Sequence, residues 1–175
     1  MKTARFIFSL AFISTALAQP GVWYESGKEV PDRPYQKAKG GFGVQLQLTK
    51  NASFFTDWAL PQTPKLEIAK TARAGDKVYS VLFFFGAGKD NNGDSEVSFA
   101  GRVLNPAGEP IQEFKDIRAI RGPNSSKEYD LCLSDGHVMI SFSAAGDKGF
   151  YTFDLNVTDH VKKVILSLSQ KVEFK

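Results

Sequence analysis

The stretch of sequence that decides the fold is Asp147-Lys148-Gly149-Phe150-Tyr151-Thr152-Phe153. Its last residues alternate as a half-buried strand does, with Tyr151 and Phe153 on one face and Thr152 on the other. A tyrosine at the start of a late strand, two residues before a core position, is typical of immunoglobulin-like sandwiches. In that arrangement the ring packs inward and the hydroxyl bonds to backbone a few residues upstream. We therefore expect Tyr151 and Phe153 to be buried.

Alternation of the same kind recurs in both directions from this stretch. Residues 43–49 and 164–174 each place apolar side chains on one face and polar side chains on the other. Residues 78–85 are apolar on both faces, which predicts a central strand covered on both sides. Asn105-Pro106-Ala107-Gly108 is a turn with Pro at its second position, and Asp135-Gly136 is a two-residue hairpin signal.

Strands without intervening helices predict an all-β fold with antiparallel pairing. The sequence predicts a single immunoglobulin-like antiparallel β-sandwich of about 7–9 strands over residues 41–175. One short helical segment is expected near residues 52–59, because Asn51 is a suitable N-cap and Pro61 ends the run. Residues 19–40 carry many Pro, Gly and charged residues without periodicity, and they are expected to form an irregular N-terminal lead.

The first residues of the chain have the pattern of a Sec signal peptide. Lys2 and Arg5 precede an apolar run from residue 6 to residue 15, and Ala16-Leu17-Ala18 is an A-x-A cleavage site. Cleavage after Ala18 predicts a periplasmic or secreted protein. The apolar run is too short to span a membrane, and no other run approaches the ~20 residues needed, so no membrane span is predicted.

Charge and cysteine content argue against a nucleic-acid-binding protein and against a protein stabilised by disulfides. Without Lys2 and Arg5 the 22 basic residues fall to 20, against 19 acidic residues, and no basic face is visible, so a nucleic-acid partner is not predicted. The single cysteine, Cys132, cannot form an intrachain disulfide. It is expected to be a semi-buried strand residue, and the alternative is a reactive or intermolecularly paired thiol. Stability must therefore come from the packing of the core.

Three aromatic residues are candidate ligand-binding residues: Trp23, Tyr35 and Trp58. Trp23 and Tyr35 lie in the N-terminal lead, where they either cap one end of the sandwich or offer an exposed contact. Trp58 follows Phe54 and Phe55 on one helical face. That face either lies over the sandwich or forms a platform on which a sugar ring stacks.

Metal and catalytic candidates are few. Asp90, Asn92, Asp94 and Glu96 occupy alternate positions, as calcium ligands do, but the glycine and the terminal glutamate of an EF-hand are not in register. The alternative is a turn at Asn92-Gly93 that joins two strands. The two histidines, His137 and His160, have no recognisable motif around them. No cofactor is predicted.

The chain resembles a family of small exported bacterial proteins of uncharacterised function. The resemblance covers roughly residues 42–174. The segments that carry it are Phe55-x-x-Trp58, Arg73-x-Gly75, Asp90-x-Asn92-Gly93, Val103-x-x-Pro106-x-Gly108, Gly122-Pro123, Gly146-Asp147-x-x-Gly149-x-Tyr151 and Asp159. It implies a single immunoglobulin-like sandwich and no specific site residues.

Three hypotheses about function follow. The first is an exported, non-enzymatic binding module with a protein or glycan partner, which it binds through loops at one end of the sandwich or through an edge strand. The second is a carbohydrate-binding accessory module that uses Trp23, Tyr35 or Trp58. The third is a cryptic metal-dependent enzyme built on His137, His160 or residues 90–96.

Overall fold

The computed structural model describes residues 23–25 and 28–175. Within these residues the chain forms twelve β-strands and one short helix. In chain order they are β1 (Trp23–Glu25), β2 (Lys28–Val30), β3 (Gln36–Lys39), β4 (Phe42–Thr49), α1 (Phe54–Asp57), β5 (Thr71–Ala72), β6 (Lys77–Phe85), β7 (Asp94–Leu104), β8 (Pro110–Pro123), β9 (Cys132–Leu133), β10 (Met139–Ser141), β11 (Gly149–Asp159) and β12 (Val164–Phe174). The predicted signal peptide, residues 1–18, lies outside the described part of the chain.

Two five-stranded sheets form the body of the protein. The β6 sheet has the order β10-β6-β4-β3, with β9 also paired to β6, and the β11 sheet has the order β5-β12-β11-β7-β8. Every pairing is antiparallel except the short parallel pair of β5 and β12. The prediction of an all-β sandwich is confirmed. The strand count exceeds the predicted one because β1, β2, β5, β9 and β10 are segments of two or three residues. The immunoglobulin-like assignment stays a prediction.

The core lies between the two sheets and is built by the alternation that the sequence predicted. Val44, Leu46 and Leu48 of β4 are fully buried, and so is Phe153 of β11. Tyr151 is 7% exposed, and its ring packs edge-on against Phe142, with centroids 5.0 Å apart. The backbone N–H of Asp147, four residues before Tyr151 in the chain, interacts with the Tyr151 hydroxyl. The first residues of β11 therefore pack into one end of the core.

Part of the N-terminal lead is regular, contrary to the prediction for residues 19–40. Gln36–Lys39 pairs with β4 as an edge strand of the β6 sheet. The backbone N–H of Ser169, on the other sheet, donates to the carbonyl of Pro34 at 2.7 Å. The pattern gave no signal because backbone pairing, rather than an apolar face, holds this four-residue strand. Residues 32–37 thus form a strap that crosses one edge of the sandwich.

The hairpin predicted at Asp135-Gly136 is wrong. β9 and β10 do not pair with each other; both pair with the same edge of β6. The backbone N–H groups of Asp135 and Gly136 donate instead to Ala119 and Arg118 of β8, at 2.9 and 3.0 Å. A Cβ at Gly136 would lie 2.5 Å from Ile117 Cγ2, so glycine serves close approach between the sheets here. This segment closes the second edge of the sandwich.

The predicted helical segment is confirmed as a single turn, α1. Its Phe54 is buried. Its N-cap is Ser53 and not the predicted Asn51, which lies two residues earlier and accepts the N–H of Ser53 on its Oδ1 at 3.0 Å. The helix lies on the outer face of the β6 sheet and not in the interior. Among the helices in the described residues, none has the length and apolar character that a membrane crossing requires.

Candidate functional site

The outer face of the β6 sheet carries a layer of aromatic side chains, which we call the aromatic layer. Its base is Tyr79, Val81, Phe83 and Phe85, which point away from the core because residues two apart in a strand share a face. Its cover is Trp23, Phe54, Phe55, Trp58 and His137. The sequence predicted a strand covered on both sides at residues 78–85, and this layer is the second cover.

Both tryptophans among the predicted ligand-binding residues belong to the aromatic layer. The ring of Trp58 lies 5.3 Å from that of Phe83, and the ring of Trp23 lies 5.0 Å edge-on from that of Phe85. Trp23 Nε1 also donates to the carbonyl of Lys37 at 3.1 Å. A Cβ at Gly43 would lie 2.1 Å from the Phe85 ring, so that ring lies across a glycine of β4. Each tryptophan is thus engaged in packing, and neither is a bare platform.

The outer face of the β11 sheet is open and polar, and a large cavity lies on it. This cavity, which we call the groove, has a volume of about 830 Å³. It crosses the neighbouring strands β12, β11, β7 and β8, and the strap forms its wall at the β12 side. Its lining comprises residues 32–34, 37, 100–102, 113–115, 154–156 and 167–169. At the usual spacing of strands, four strands give the groove a length of about 14 Å.

Small side chains make the groove concave, and charged side chains stand around them. Ala100, Ser167 and Ser169 lie on its floor, where they leave room above the sheet. The cationic lining residues are Arg33, Lys37, Arg102 and Lys115, and the anionic ones are Asp32, Glu113 and Asp154. Arg102 Nε lies 4.0 Å from Asp154 Oδ2, and the Ser167 hydroxyl donates to Asn156 Oδ1 at 2.7 Å. The groove therefore offers both donors and acceptors along its whole length.

Tyr35, the third predicted ligand-binding aromatic residue, stands at the margin of the groove. The Arg33 guanidinium, which lines the groove, donates to the Tyr35 hydroxyl at 2.9 Å and lies 6.0 Å from the centroid of the ring. The structure does not bring the three predicted aromatic residues together. Tyr35 contacts the groove wall, whereas Trp23 and Trp58 lie on the outer face of the other sheet.

Residues 90–93 form a turn that leads into β7, whose first residues include Asp94 and Glu96, and this turn connects the two sheets. The backbone N–H groups of Asn92 and Asp94 donate to Asp90 Oδ1 at 2.8 and 2.9 Å. These bonds, from Asp94 and then Asn92, hold the pKa of the Asp90 carboxyl below its usual value. Glu96 is paired with Arg121, with Oε1 and Nη2 2.7 Å apart. No three acidic, histidine or cysteine side chains in the described ranges are arranged to hold a metal ion.

Sequence reasoning missed one polar contact on the β11 sheet. Ser98 Oγ lies 2.9 Å from His160 Nε2, although the two residues are far apart in the chain. Register explains it, because β7 and β11 pair antiparallel and place Ser98 beside Thr158, two residues from His160. A Ser–His contact of this length is compatible with an activated hydroxyl. It lies outside the groove, and the lining of the groove contains neither residue.

His137 lies on the aromatic layer rather than near a nucleophile. Its ring stacks on Phe55, with centroids 4.2 Å apart and an interplanar angle of 17°. Burial lowers the pKa of His137 below the ordinary value of 6.5, because the aromatic neighbours replace water around the charged form.

Comparison with known proteins gives only distant structural similarity. The sequence matches no protein-family model, and no curated protein is significantly similar to it. A family 123 glycoside hydrolase from Clostridium perfringens superimposes with 13% identity and a TM-score of 0.42 over 77% of this chain and 27% of that chain. A Niemann-Pick type C2 protein from the Japanese carpenter ant gives 8% identity and a TM-score of 0.33 over 62% of this chain and 82% of that chain. At these TM-scores neither similarity informs function, and the resemblance to a family of exported bacterial proteins stays a prediction.

Proposed function

We propose that this chain is an exported, non-enzymatic binding module and that its ligand site is the groove on the β11 sheet. The ligand we propose is a glycan chain. The observation that carries the proposal is the composition of the groove: an open cavity about 14 Å long on the face of a sheet, with neutral and charged polar groups of both signs in its lining. The signal-peptide pattern of residues 1–18 supports export.

The lining suits a ligand that is rich in hydroxyl groups. A hydroxyl donates one hydrogen bond and accepts two, so it pairs equally well with Arg102 and with Asp154. Asn156, Ser167 and Ser169 add neutral groups that also bond both ways. A strongly anionic or cationic ligand would meet a mixed field here, with charges of its own sign beside those that attract it.

The face of the sheet is better placed for binding than its edges. β8, the edge strand, already accepts hydrogen bonds from Asp135 and Gly136 at Ala119 and Arg118. At the opposite edge of the sandwich the strap is bonded to β12 through Pro34. Addition of a partner's strand needs a free row of backbone groups, and both edges are partly occupied.

Affinity gel electrophoresis against a panel of neutral and acidic soluble polysaccharides tests the proposal. We expect at least one polysaccharide to retard the protein. The double variant Arg102→Ala/Asn156→Ala should bind about tenfold more weakly or worse, because each change removes groove hydrogen bonds. The matched control is Arg118→Ala, an exposed arginine of β8 outside the groove, which is paired with Asp135; it should bind as the parent does.

Three results would overturn parts of this proposal. Retardation by none of the polysaccharides would remove the glycan as ligand. Full binding by the double variant, with loss in a folded Trp58→Ala variant, would move the site to the aromatic layer, as the second sequence hypothesis holds. Shortening of the bound polysaccharide by the protein would show an enzyme.

A further inference from the structure

A second cavity, of about 330 Å³, lies away from the groove at one end of the sandwich. We call it the lysine pocket. It lies between the loop that follows β6, the segment before β9 and the turn after β11. Its polar lining includes Lys89, Asn124, Ser126, Lys127, Cys132 and Lys162.

The lysine pocket has an excess of positive charge. Its lining contains three lysines but only one carboxylate, that of Glu128. Lys89 Nζ donates to the carbonyl of Ser126 at 2.7 Å, and Lys162 Nζ donates to the carbonyl of Gly40 at 3.2 Å. No ion pair involves Lys89, Lys127 or Lys162 within the described part of the chain. An ammonium group has three N–H donors, so Lys89 and Lys162 each retain donors for a ligand.

The walls of the lysine pocket are fixed by a buried network. Asp159, which is 0% exposed, accepts the backbone N–H groups of Gly88, Val161 and Lys162 at 2.7, 3.0 and 2.8 Å. One carboxylate therefore holds the loop after β6 and the turn that carries Lys162.

The third wall is tied into the same network. The Asn124 side chain donates to the Ser95 hydroxyl at 2.8 Å, and that hydroxyl donates to the carbonyl of Gly88 at 2.7 Å. Asn124 Oδ1 in turn accepts the backbone N–H of Ser126 at 3.0 Å. The lysine stems thus project from a frame that is already ordered, which reduces the entropy lost when a ligand binds.

We propose that the lysine pocket binds a doubly charged oxyanion, in the form of a small organic phosphate monoester. The lining carries an excess of two positive charges, and the Asp159 carboxylate behind it is buried and accepts three backbone N–H groups. This lining suits a phosphate dianion, and flexible ammonium groups bind phosphate as point charges. The cavity is at the lower end of the range for small-molecule sites, which leaves room for an organic group of a few atoms beside the phosphate. This site is independent of the groove and of its glycan.

The only cysteine of the chain lines the lysine pocket and makes its occupancy measurable. Cys132 Sγ lies 3.2 Å from Ser126 Oγ, on the pocket wall. The experiment is the rate of alkylation of Cys132 by the neutral reagent N-ethylmaleimide, at constant ionic strength set with sodium chloride. Glycerol phosphate, inorganic phosphate and inorganic sulfate are added in separate titrations, and calorimetry measures binding of each directly.

We expect glycerol phosphate to slow alkylation saturably, by roughly tenfold at about ten times its Kd. The variant Lys89→Met/Lys162→Met should weaken binding by about tenfold or more, since it removes two charge-assisted bonds. The control is Lys65→Met, which replaces an exposed lysine in the loop after α1. It should leave the rate of Cys132 alkylation unchanged, both with and without glycerol phosphate. Tighter binding of inorganic phosphate than of the ester would assign the site to the free ion rather than to an ester and would overturn the monoester proposal.

The oxyanion site itself would be overturned by either of two results. One is the absence of both saturable protection and binding heat for all three anions. The other is protection of equal size in the Lys89→Met/Lys162→Met variant.

Discussion

The outer faces of the two sheets differ although their inner faces are alike. On the β6 sheet the outward positions of the central strand are Tyr79, Val81, Phe83 and Phe85, and a helical turn and several rings cover them. On the β11 sheet the outward positions of the central strand are Thr152, Asp154, Asn156 and Thr158, and they border open space. A strand that is apolar on both faces needs a second cover, whereas a strand with one polar face leaves that face available for a ligand.

Because of this difference, we expect side chains of the aromatic layer to stabilise the fold and side chains of the groove to contribute to ligand binding. Side chains of the aromatic layer lose apolar contacts when they are truncated, so their replacement must cost stability. Side chains on the floor of the groove face water, so their replacement should cost little stability and act mainly on binding.

The largest expected effect is the truncation of Phe83. Phe83→Ala removes a ring that is 5% exposed and contacts Phe54 and Trp58, so we expect a loss of about 3 kcal/mol or more in the free energy of unfolding. Asn156→Ala, on the groove side, should change it by less than about 0.5 kcal/mol. Urea denaturation of both variants measures the contrast. Equal losses would show that the two faces do not differ in the way described.

The next largest effect concerns the contact of Asp135-Gly136 with β8, which we call the seam between the sheets. Gly136→Ala places a Cβ 2.5 Å from Ile117 Cγ2 and 2.8 Å from the Arg118 carbonyl, so we expect a loss of about 1–3 kcal/mol. Asp135→Ala is the control, because it removes only an exposed ion pair with Arg118 and should cost less than about 1 kcal/mol. Thermal unfolding of the two variants gives the comparison, and a Gly136→Ala protein as stable as the parent would argue against a close seam.

The sheet interior was predictable from sequence because its signal is local. Alternation at residues 43–49, 151–157 and 164–174 located three strands of the core, and the two-sided run at 78–85 predicted the second cover. Each of these patterns is read over about eight residues, and burial follows directly from it.

The groove and the seam were not predictable, because both depend on contacts between distant segments. The groove needs the strap at residues 32–37, whose bond from Ser169 to Pro34 leaves no pattern in either segment. Asp135-Gly136 was misread since a hairpin turn and a close approach both favour glycine. The Ser98–His160 contact depends on the register of β7 against β11, which only pairing reveals.

Substitution of Tyr151 tests the packing of the core that lies between the two sheets. Burial, and next the Asp147 carboxylate, raise the pKa of the Tyr151 hydroxyl above the ordinary value of 10.0, while the N–H of Asp147 lowers it. The stability that follows from this shift is therefore complete below pH 10.0 and lost as the pH rises through the folded-state pKa. Tyr151→Phe should cost about 1 kcal/mol at pH 7, because it removes the polar interaction between the buried hydroxyl and the N–H of Asp147.

The measurement for Tyr151 is the free energy of unfolding between pH 8 and pH 12, in the parent and in Tyr151→Phe. The parent should lose stability above pH 10.0 more steeply than the variant does. A parallel decline in the two proteins would show that the hydroxyl is not held as described.

The smallest expected effect is the pH dependence of stability due to His137, and it concerns only the aromatic layer. Its pKa is lowered from 6.5 by burial against Phe55, so the neutral imidazole is favoured in the folded protein. The corresponding stability is complete above pH 6.5 and is lost as the pH falls from 6.5 through the lower folded-state pKa. NMR titration of the His137 ring should give a midpoint below 6.5 in the parent and nearer to 6.5 in Phe55→Ala, where water reaches the ring. A parent midpoint at or above 6.5, or one that Phe55→Ala does not move, would mean that this end of the layer is open to solvent and that the contrast between the two faces stops short of His137.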